Sequence, residues 1–409
     1  MNAAAAAEAA ARGSYGRLLA WLAWQWRDVA AAEDALADAF AAALQRWPRD
    51  GVPDSPDAWL LTAARHRLLM AARRQRLADD PTLTVLWPGE HAPAPDAAPL
   101  PDARLRLLFV CAHPAIDAGV HSALMLQTVL GLDAARIASA FLVKPEAMTK
   151  RLVRAKAKIR DAGLRFEDPG PDEWPERVAS VLEAIYGAYT LHWGLADDAD
   201  AGELAGEARF LAELVATQLP DEPEALGLVA LLWLCEARRP ARRDAFQPLH
   251  EQDPRAWDAT LIAQANAALH RAAARRSPGP FQLEAAIQAA HTQGRLDAHV
   301  PWDGITRLHE RLLELAPTVG ARIAHAVARA HALPDPAAGL ALLDAIEPER
   351  IAAHQPWWAA RAHLLAMAGR HAEAAAAYGR ALALTVEPRL RAWMTQRLQA
   401  QEVAARSSG

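Results

Sequence analysis

Leu132–Arg160 reads LDAARIASAFLVKPEAMTKRLVRAKAKIR, two short helices across a tight turn, the second apolar on one side and basic on the other. On a 3.6-residue period Met148, Leu152, Ala155 and Ile159 share one stripe, while Lys150, Arg151, Arg154 and Lys158 fall on the opposite side. The first helix is expected to turn Ile137, Ala138 and Phe141 inward, and small Ala138 lets the two helices cross closely. This is the pattern of a helix-turn-helix, whose second helix enters a DNA major groove. Taken alone, it fits a solvated basic helix of any helical protein equally well.

The rest of the chain narrows the choice. Of its 409 residues 52% are hydrophobic but only 6% aromatic, and alanine and leucine rather than β-branched residues carry that fraction, so an all-α fold is expected. The length implies two to four domains. Apolar runs of about 18 residues are absent, and the opening MNAAAAAEAAARG lacks the basic flank and apolar core of a signal peptide. A soluble, cytoplasmic protein without membrane contact is therefore expected. Cys111 and Cys235 stand far apart and should both be reduced. The net charge of -5 argues against a nucleic-acid binder only until its distribution is read. Arg65, Arg67, Arg73, Arg74 and Arg76 cluster in one segment, and Lys144 to Arg160 is similarly basic.

Four sections follow one another. Residues 14–77 read as three or four helices. Leu18, Leu22 and Val29 lie on one face of an opening helix, and a second helix from Ala31 to Trp47 turns Leu36, Phe40, Ala43 and Trp47 inward and Asp34 and Asp38 outward. The loop PRDGVPD, from Pro48 to Asp54, is expected to break that helix, and Ser55-Pro56-Asp57 to start the next. Residues 78–101, rich in Pro, Ala and acids, read as a linker. Residues 102–165 form a second helical module ending in the helix-turn-helix. Residues 176–403 are helical again. Within them Trp358, Ala362, Gly369, Ala374, Tyr378, Ala381 and Pro388 are spaced like the packing positions of a tetratricopeptide-like helix pair, and Val319 to Pro348 resembles a degenerate copy. A simple helical bundle remains the alternative for this part.

With these pieces in order, the chain resembles the extracytoplasmic-function sigma factors of bacterial RNA polymerase, in particular the group with a long tetratricopeptide-like C-terminal extension. Ala31 to Leu69 is similar to sigma domain 2, DARLRLLFVCAHPAI and the helix-turn-helix to sigma domain 4, and HEQDPRAWD, GPFQLEAAIQAAH and AARAHLLAMAGRHAEA to segments of the extension. The resemblance implies that Asp34, Asp38 and Phe40 meet core polymerase, at its β′ clamp coiled coil, with a further contact at the β flap. It implies that Arg49, Trp59, Arg65, Arg73 and Arg74 hold the unpaired −10 strand of promoter DNA. Lys150, Arg151, Arg154 and Lys158 would then contact the −35 duplex. Trp47 is read as core, because it continues an apolar stripe. The extension would make a protein contact, within the chain or with a partner, and control the sigma core.

Several positions depart from the family pattern. Ala37, His66 and Met70 stand where relatives carry Gln, Asn and Asp, Lys144-Pro145 replaces a better helix cap, and EAIYGAY from Glu183 to Tyr189 is a remnant of an aromatic-Asn-Glu-Gly-Tyr segment. No enzyme, cofactor or metal is expected: the chain has no glycine-rich phosphate loop, no His-Glu-x-x-His and no paired cysteines, and Cys111-Ala-His113 reads as packing and capping. Two rivals are a helix-turn-helix operator binder that works without polymerase, and a sigma-derived polymerase-binding protein that has lost promoter opening.

Overall fold

A computed structural model of the chain describes residues 3–79, 103–141, 143–162, 174–192, 199–242, 245–347 and 351–407. Every regular element among them is an α-helix or a short 3-10 turn, as a chain dominated by alanine and leucine requires. Its contacts divide it into two units, residues 1–211 and 212–409.

In the first unit α1 (Ala3–Trp26), α2 (Val29–Asp50) and α3 (Pro56–Asp79) pack mutually around Leu18, Leu19, Leu22, Leu36, Leu60 and Leu61, all fully buried. Val29 belongs to α2 and not to the opening helix. Arg27 adopts a positive φ of 56° that ends α1, and the Asp28 side chain then caps α2 by accepting the Ala31 N–H at 3.0 Å. Nor does Pro48 break α2, which runs on to Asp50 and stops at Gly51, where φ is 88°. Pro48 lacks an N–H for the Leu44 carbonyl, a loss that an exposed last turn tolerates because water replaces it. Asp57 does more than favour the start of α3. Its Oδ2 accepts from Ser14 Oγ at 2.8 Å and from Arg17 Nη2 at 2.5 Å, tying α1 to α3.

The second module of this unit comprises α4 (Arg104–Cys111), α5 (Ala118–Thr128), α6 (Ala134–Ala140) and α7 (Pro145–Asp161). Met148, Leu152, Ala155 and Ile159 are buried, as are Ile137 and Ala138. Phe141 is not turned inward: α6 ends at Ala140, and the ring in the turn is 38% exposed. Lys144 makes no side-chain cap for α7, where Pro145 supplies the preset φ of a first helical residue. His113 accepts the Ala115 N–H at 3.0 Å, and buried Cys111 lies 3.4 Å from Thr128 Oγ1.

Two further helices, α8 (Trp174–His192) and α9 (Ala199–Gln218), follow. The first packs on α5 and α4, burying Val181, Leu182, Ile185, Ala188 and Tyr189. His121 of α5 spans that contact, with Nδ1 3.2 Å from Ser180 Oγ and Nε2 3.1 Å from the Ile116 carbonyl. Arg104 pairs with Glu207 of α9 and holds its guanidinium 4.7 Å above the Phe210 ring. Packing therefore joins α8 to the α4–α7 module, although a proline- and glycine-containing break precedes it in the sequence.

In the second unit α10 (Pro223–Ala237), α11 (Ala259–Ala274), α12 (Pro280–Leu296), α13 (Trp302–Leu315), α14 (Val319–Ala332), α15 (Pro336–Asp344), α16 (Gln355–Met367), α17 (His371–Ala383) and α18 (Pro388–Ser407) pack largely against their sequence neighbours. The pair α16 and α17 buries Ala362, Ala374, Tyr378 and Ala381, with Trp358 packed at its margin. Pro388 opens α18. Histidines line the middle of the stack. The Trp302 ring stacks on His331 at 4.3 Å and meets the edge of His291 at 5.2 Å, and His331 Nε2 lies 3.1 Å from His363 Nε2.

Candidate nucleic-acid interface

The exposed side of α7 follows from its buried one. Lys150, Arg151, Arg154 and Lys158 all reach solvent. Helical phase divides them: Lys150 and Arg154 stand at the middle of the exposed side with Glu146 and Val153, while Arg151 and Lys158 share one flank. Arg154 folds back to donate from Nε to the Lys150 carbonyl at 3.2 Å, leaving its terminal nitrogens outward. Val153, 61% exposed in the middle of a cationic face, is an apolar group that periodicity alone did not single out.

Lys156 on the other flank behaves differently. Its ammonium is 2.5 Å from Glu33 Oε2 of α2, and the two side chains are only 11% and 17% exposed. Burial pushes the Glu33 carboxyl above its ordinary range, against the pull of Lys156 and with a further push from Asp34. Burial also raises the neighbouring Tyr15, helped by the Glu33 charge, and pushes the Cys111 thiol up to about 12. A Cys at that value is a packing residue and no nucleophile at neutral pH.

On α3 the buried stripe of Leu60, Leu61, Ala64 and Leu68 leaves Trp59, His66, Met70, Arg73 and Arg74 on or beside the opposite face. Arg73 and Arg74 are exposed near the end of α3 and Trp59 is half-buried near its start, about 20 Å away along the helix axis. Arg65 is not on that face. It lies on the flank toward α1, its guanidinium 5.4 Å from the Trp21 ring. Arg49 comes from the last turn of α2. Trp47 is buried in the core and meets Trp59 edge to face at 5.5 Å, so Trp59 is anchored on one side and open on the other. Leu69 and Met70, each 46% exposed, add apolar surface to this basic helix. Leu69 belongs to none of the motifs; its signal is a leucine placed away from its helix's apolar stripe.

Asp34 and Asp38 of α2 both point to solvent, and Ala37 between them is exposed. Phe40 is half-buried, its ring stacked 6.5 Å from Tyr15. It leans on the bundle and does not stand free beside the two acids. Three charged faces thus project from the first unit: an acidic one on α2, a basic and apolar one on α3, and a basic one on α7. Among the described residues no group of three metal-ligating side chains converges, and no helix is long and apolar enough to cross a membrane.

Residues 12–78, which run from within α1 through α2 to nearly the end of α3, match the model for sigma-70 region 2. Residues 177–273, which begin in α8, match a family of unknown function, DUF6596. Over 391 residues the chain is 36% identical to a Rhizobium meliloti (strain 1021) protein described as "Uncharacterized protein R00370", spanning 93% of this chain and 92% of that one. No solved structure matches significantly.

Proposed function

The chain belongs to the same family as that Rhizobium meliloti protein and carries a sigma-70 region 2 domain, and from this premise we propose that it is a sigma factor of the extracytoplasmic-function type. In this reading Asp34 and Asp38 dock on core polymerase at the β′ clamp coiled coil, with Phe40 bracing the helix that presents them. Trp59, Arg73, Arg74 and Arg49 hold the melted −10 strand through a stacking surface and a cationic track, with Arg65 shaping its edge. Lys150, Arg151, Arg154 and Lys158 engage the −35 duplex, some through phosphates and some through base edges. The module at 102–165 would be sigma domain 4, and the helices at 176–403 a tetratricopeptide-like array that regulates the core. The protein would work in the cytoplasm.

The observation that supports this most is the presence in one chain of a region 2 bundle and a helix-turn-helix with an exposed cationic side. An operator binder has no use for the first. Run-off transcription with added bacterial core polymerase tests it: promoter-specific transcripts that depend on this protein are expected. Duplex binding without core association would favour an operator binder. Core association without transcripts would favour the sigma-derived scaffold, a second reading prompted by Ala37, His66 and Met70, which lie on the exposed faces of α2 and α3.

A further inference from the structure

The second unit carries imidazoles that the promoter-binding reading does not use, and we propose that two of them, His331 and His363, form a binding site for a borderline divalent ion of the first transition row: Zn²⁺, Ni²⁺ or Cu²⁺. His331 stands in the last turn of α14 and His363 on α16, and their Nε2 atoms are 3.1 Å apart. With ring centroids 5.3 Å apart, the rings meet by their Nε2 edges and not by their faces. Both side chains are half-buried, so an ion reaches the pair from solvent. No short-range motif announces the site, because 32 residues separate the two histidines.

The separation suits an ion. Metal–imidazole bonds of about 2.0–2.1 Å put two coordinated nitrogens about 2.9 Å apart at a right angle and about 3.3 Å apart at the tetrahedral angle, and the observed 3.1 Å falls between. With no ion present and both rings neutral, one Nε2–H donates to the lone pair of the other ring. An ion takes both lone pairs, and the displaced proton moves to Nδ1 of its own ring. An in-plane swing of each ring aims the two lone pairs at an ion beside the line between them. For His331 that motion slides along the face of Trp302, on which it stacks at 4.3 Å and within 11° of parallel.

The surroundings set the class of ion. Two imidazoles select Zn²⁺, Ni²⁺ or Cu²⁺ over Mg²⁺ and Ca²⁺, which take oxygen ligands. Among the described residues no group of three His, Cys, Asp or Glu side chains converges, so water fills the remaining positions. His331 lies where the negative end of the α14 dipole favours a cation. Bound there, the ion staples α14 to α16 beside the core of Ala326, Ala330, Ala362 and Leu364, and it stabilises the second unit because the unfolded chain does not hold the two nitrogens together.

Calorimetry of the full-length protein, purified without a polyhistidine tag, tests the proposal with CuCl2, NiCl2, ZnCl2 and MgCl2. The tightest site is expected to hold one ion per chain, to prefer Cu²⁺ over Ni²⁺ and Zn²⁺, and to ignore Mg²⁺. His331→Gln and His363→Gln, each checked for its fold by circular dichroism, should weaken that site by about tenfold or more, since losing even an outer partner of a metal ligand has that effect. Electron paramagnetic resonance of the Cu²⁺ form needs no variant and should show splitting from two imidazole nitrogens. No binding, an equal response to Mg²⁺, a spectrum with oxygen ligands alone, or unchanged affinity in both variants would overturn the site. So would a loss confined to His325→Gln, which moves the ion to His325, whose Nε2 is 3.8 Å from Glu310 Oε1, and to His309, which is 6% exposed and has no hydrogen-bond partner at Nδ1. Run-off transcription decides the sigma-factor reading separately, because neither His331 nor His363 belongs to the first unit.

Discussion

Arg67 Nη1 lies 3.3 Å from Asp38 Oδ2, and both side chains are more than half exposed, so α2 and the basic helix α3 meet at an ion pair open to water. Such a pair contributes only about 0.2–1 kcal/mol to stability. Its members are therefore free to serve a partner, because the fold does not depend on them.

Reversing the charges at Asp34 and Asp38 to lysine is expected to weaken core polymerase binding about tenfold or more, equivalent to about 1.4 kcal/mol, while the thermal midpoint barely moves. Titration calorimetry with core polymerase, beside a melting curve, checks this. Unchanged affinity would remove the acidic face of α2 from the interface.

Arg154 and Lys158 should respond differently to removal, because one stands at the middle of the exposed side of α7 and the other on its flank. Arg154→Ala is expected to cost about 1–3 kcal/mol on the preferred duplex and relax the choice at one base pair. Lys158→Ala should weaken all duplexes alike and reduce the slope of log affinity against log salt by about one. Selection from a randomised duplex pool, followed by salt titration, separates the two.

Ending the chain after Asp168 would remove the α8 side chains that pack on α5, including Ile185 and Tyr189, and would leave Arg104 without Glu207. That truncation is expected to melt well below one ending at Pro220, after α9, and to bind a hydrophobic dye. Equal midpoints would show that α8 is dispensable to the module. Regulation by the remaining helices is best measured with the Pro220 truncation, where loss of control is not confused with loss of core.

His291 and His309 are both pushed down to about 4, first by burial, then by repulsion from groups that are or become cationic as pH falls: His309, Arg238 and His331 for the former, His325 for the latter. Each is neutral in the folded chain and ordinarily charges near 6.5 when unfolded. Their contribution is whole above about pH 6.5 and is lost as pH falls toward 4, the unfolded state binding more protons. Stability of the second unit should drop by a few kcal/mol, about 3 for each histidine at the acid end. Unfolding followed through tryptophan fluorescence at a series of pH values checks it, and His291→Phe with His309→Phe should flatten the profile.

Much of this was legible wherever the signal lay within one helix. The stripe of Met148, Leu152, Ala155 and Ile159, the outward set from Lys150 to Lys158, and the core position of Trp47 all follow from phase along a single axis. Helix ends were harder. Val29 was assigned to the opening helix because its apolar character fits either neighbour, although Asp28 in front of it is a cap by type. Phe141 looked inward only if α6 continued one residue beyond where it stops, and Pro48 looked like a break only if the last turn needed its N–H.

By itself the sequence determined the helical class, the amphipathic faces of α2, α3 and α7, and the kinship with sigma-70 region 2, because composition, periodicity and local motifs are properties of neighbouring residues. Tertiary structure alone decided that Glu33 is buried against Lys156 while adjacent Asp34 stays in water, that Gly16 is a contact point, and that α8 packs with α4 and α5. Periodicity tells which side of a helix avoids water. It does not tell which distant helix will cover that side, since that choice rests on shape and charge matching between segments far apart in the chain.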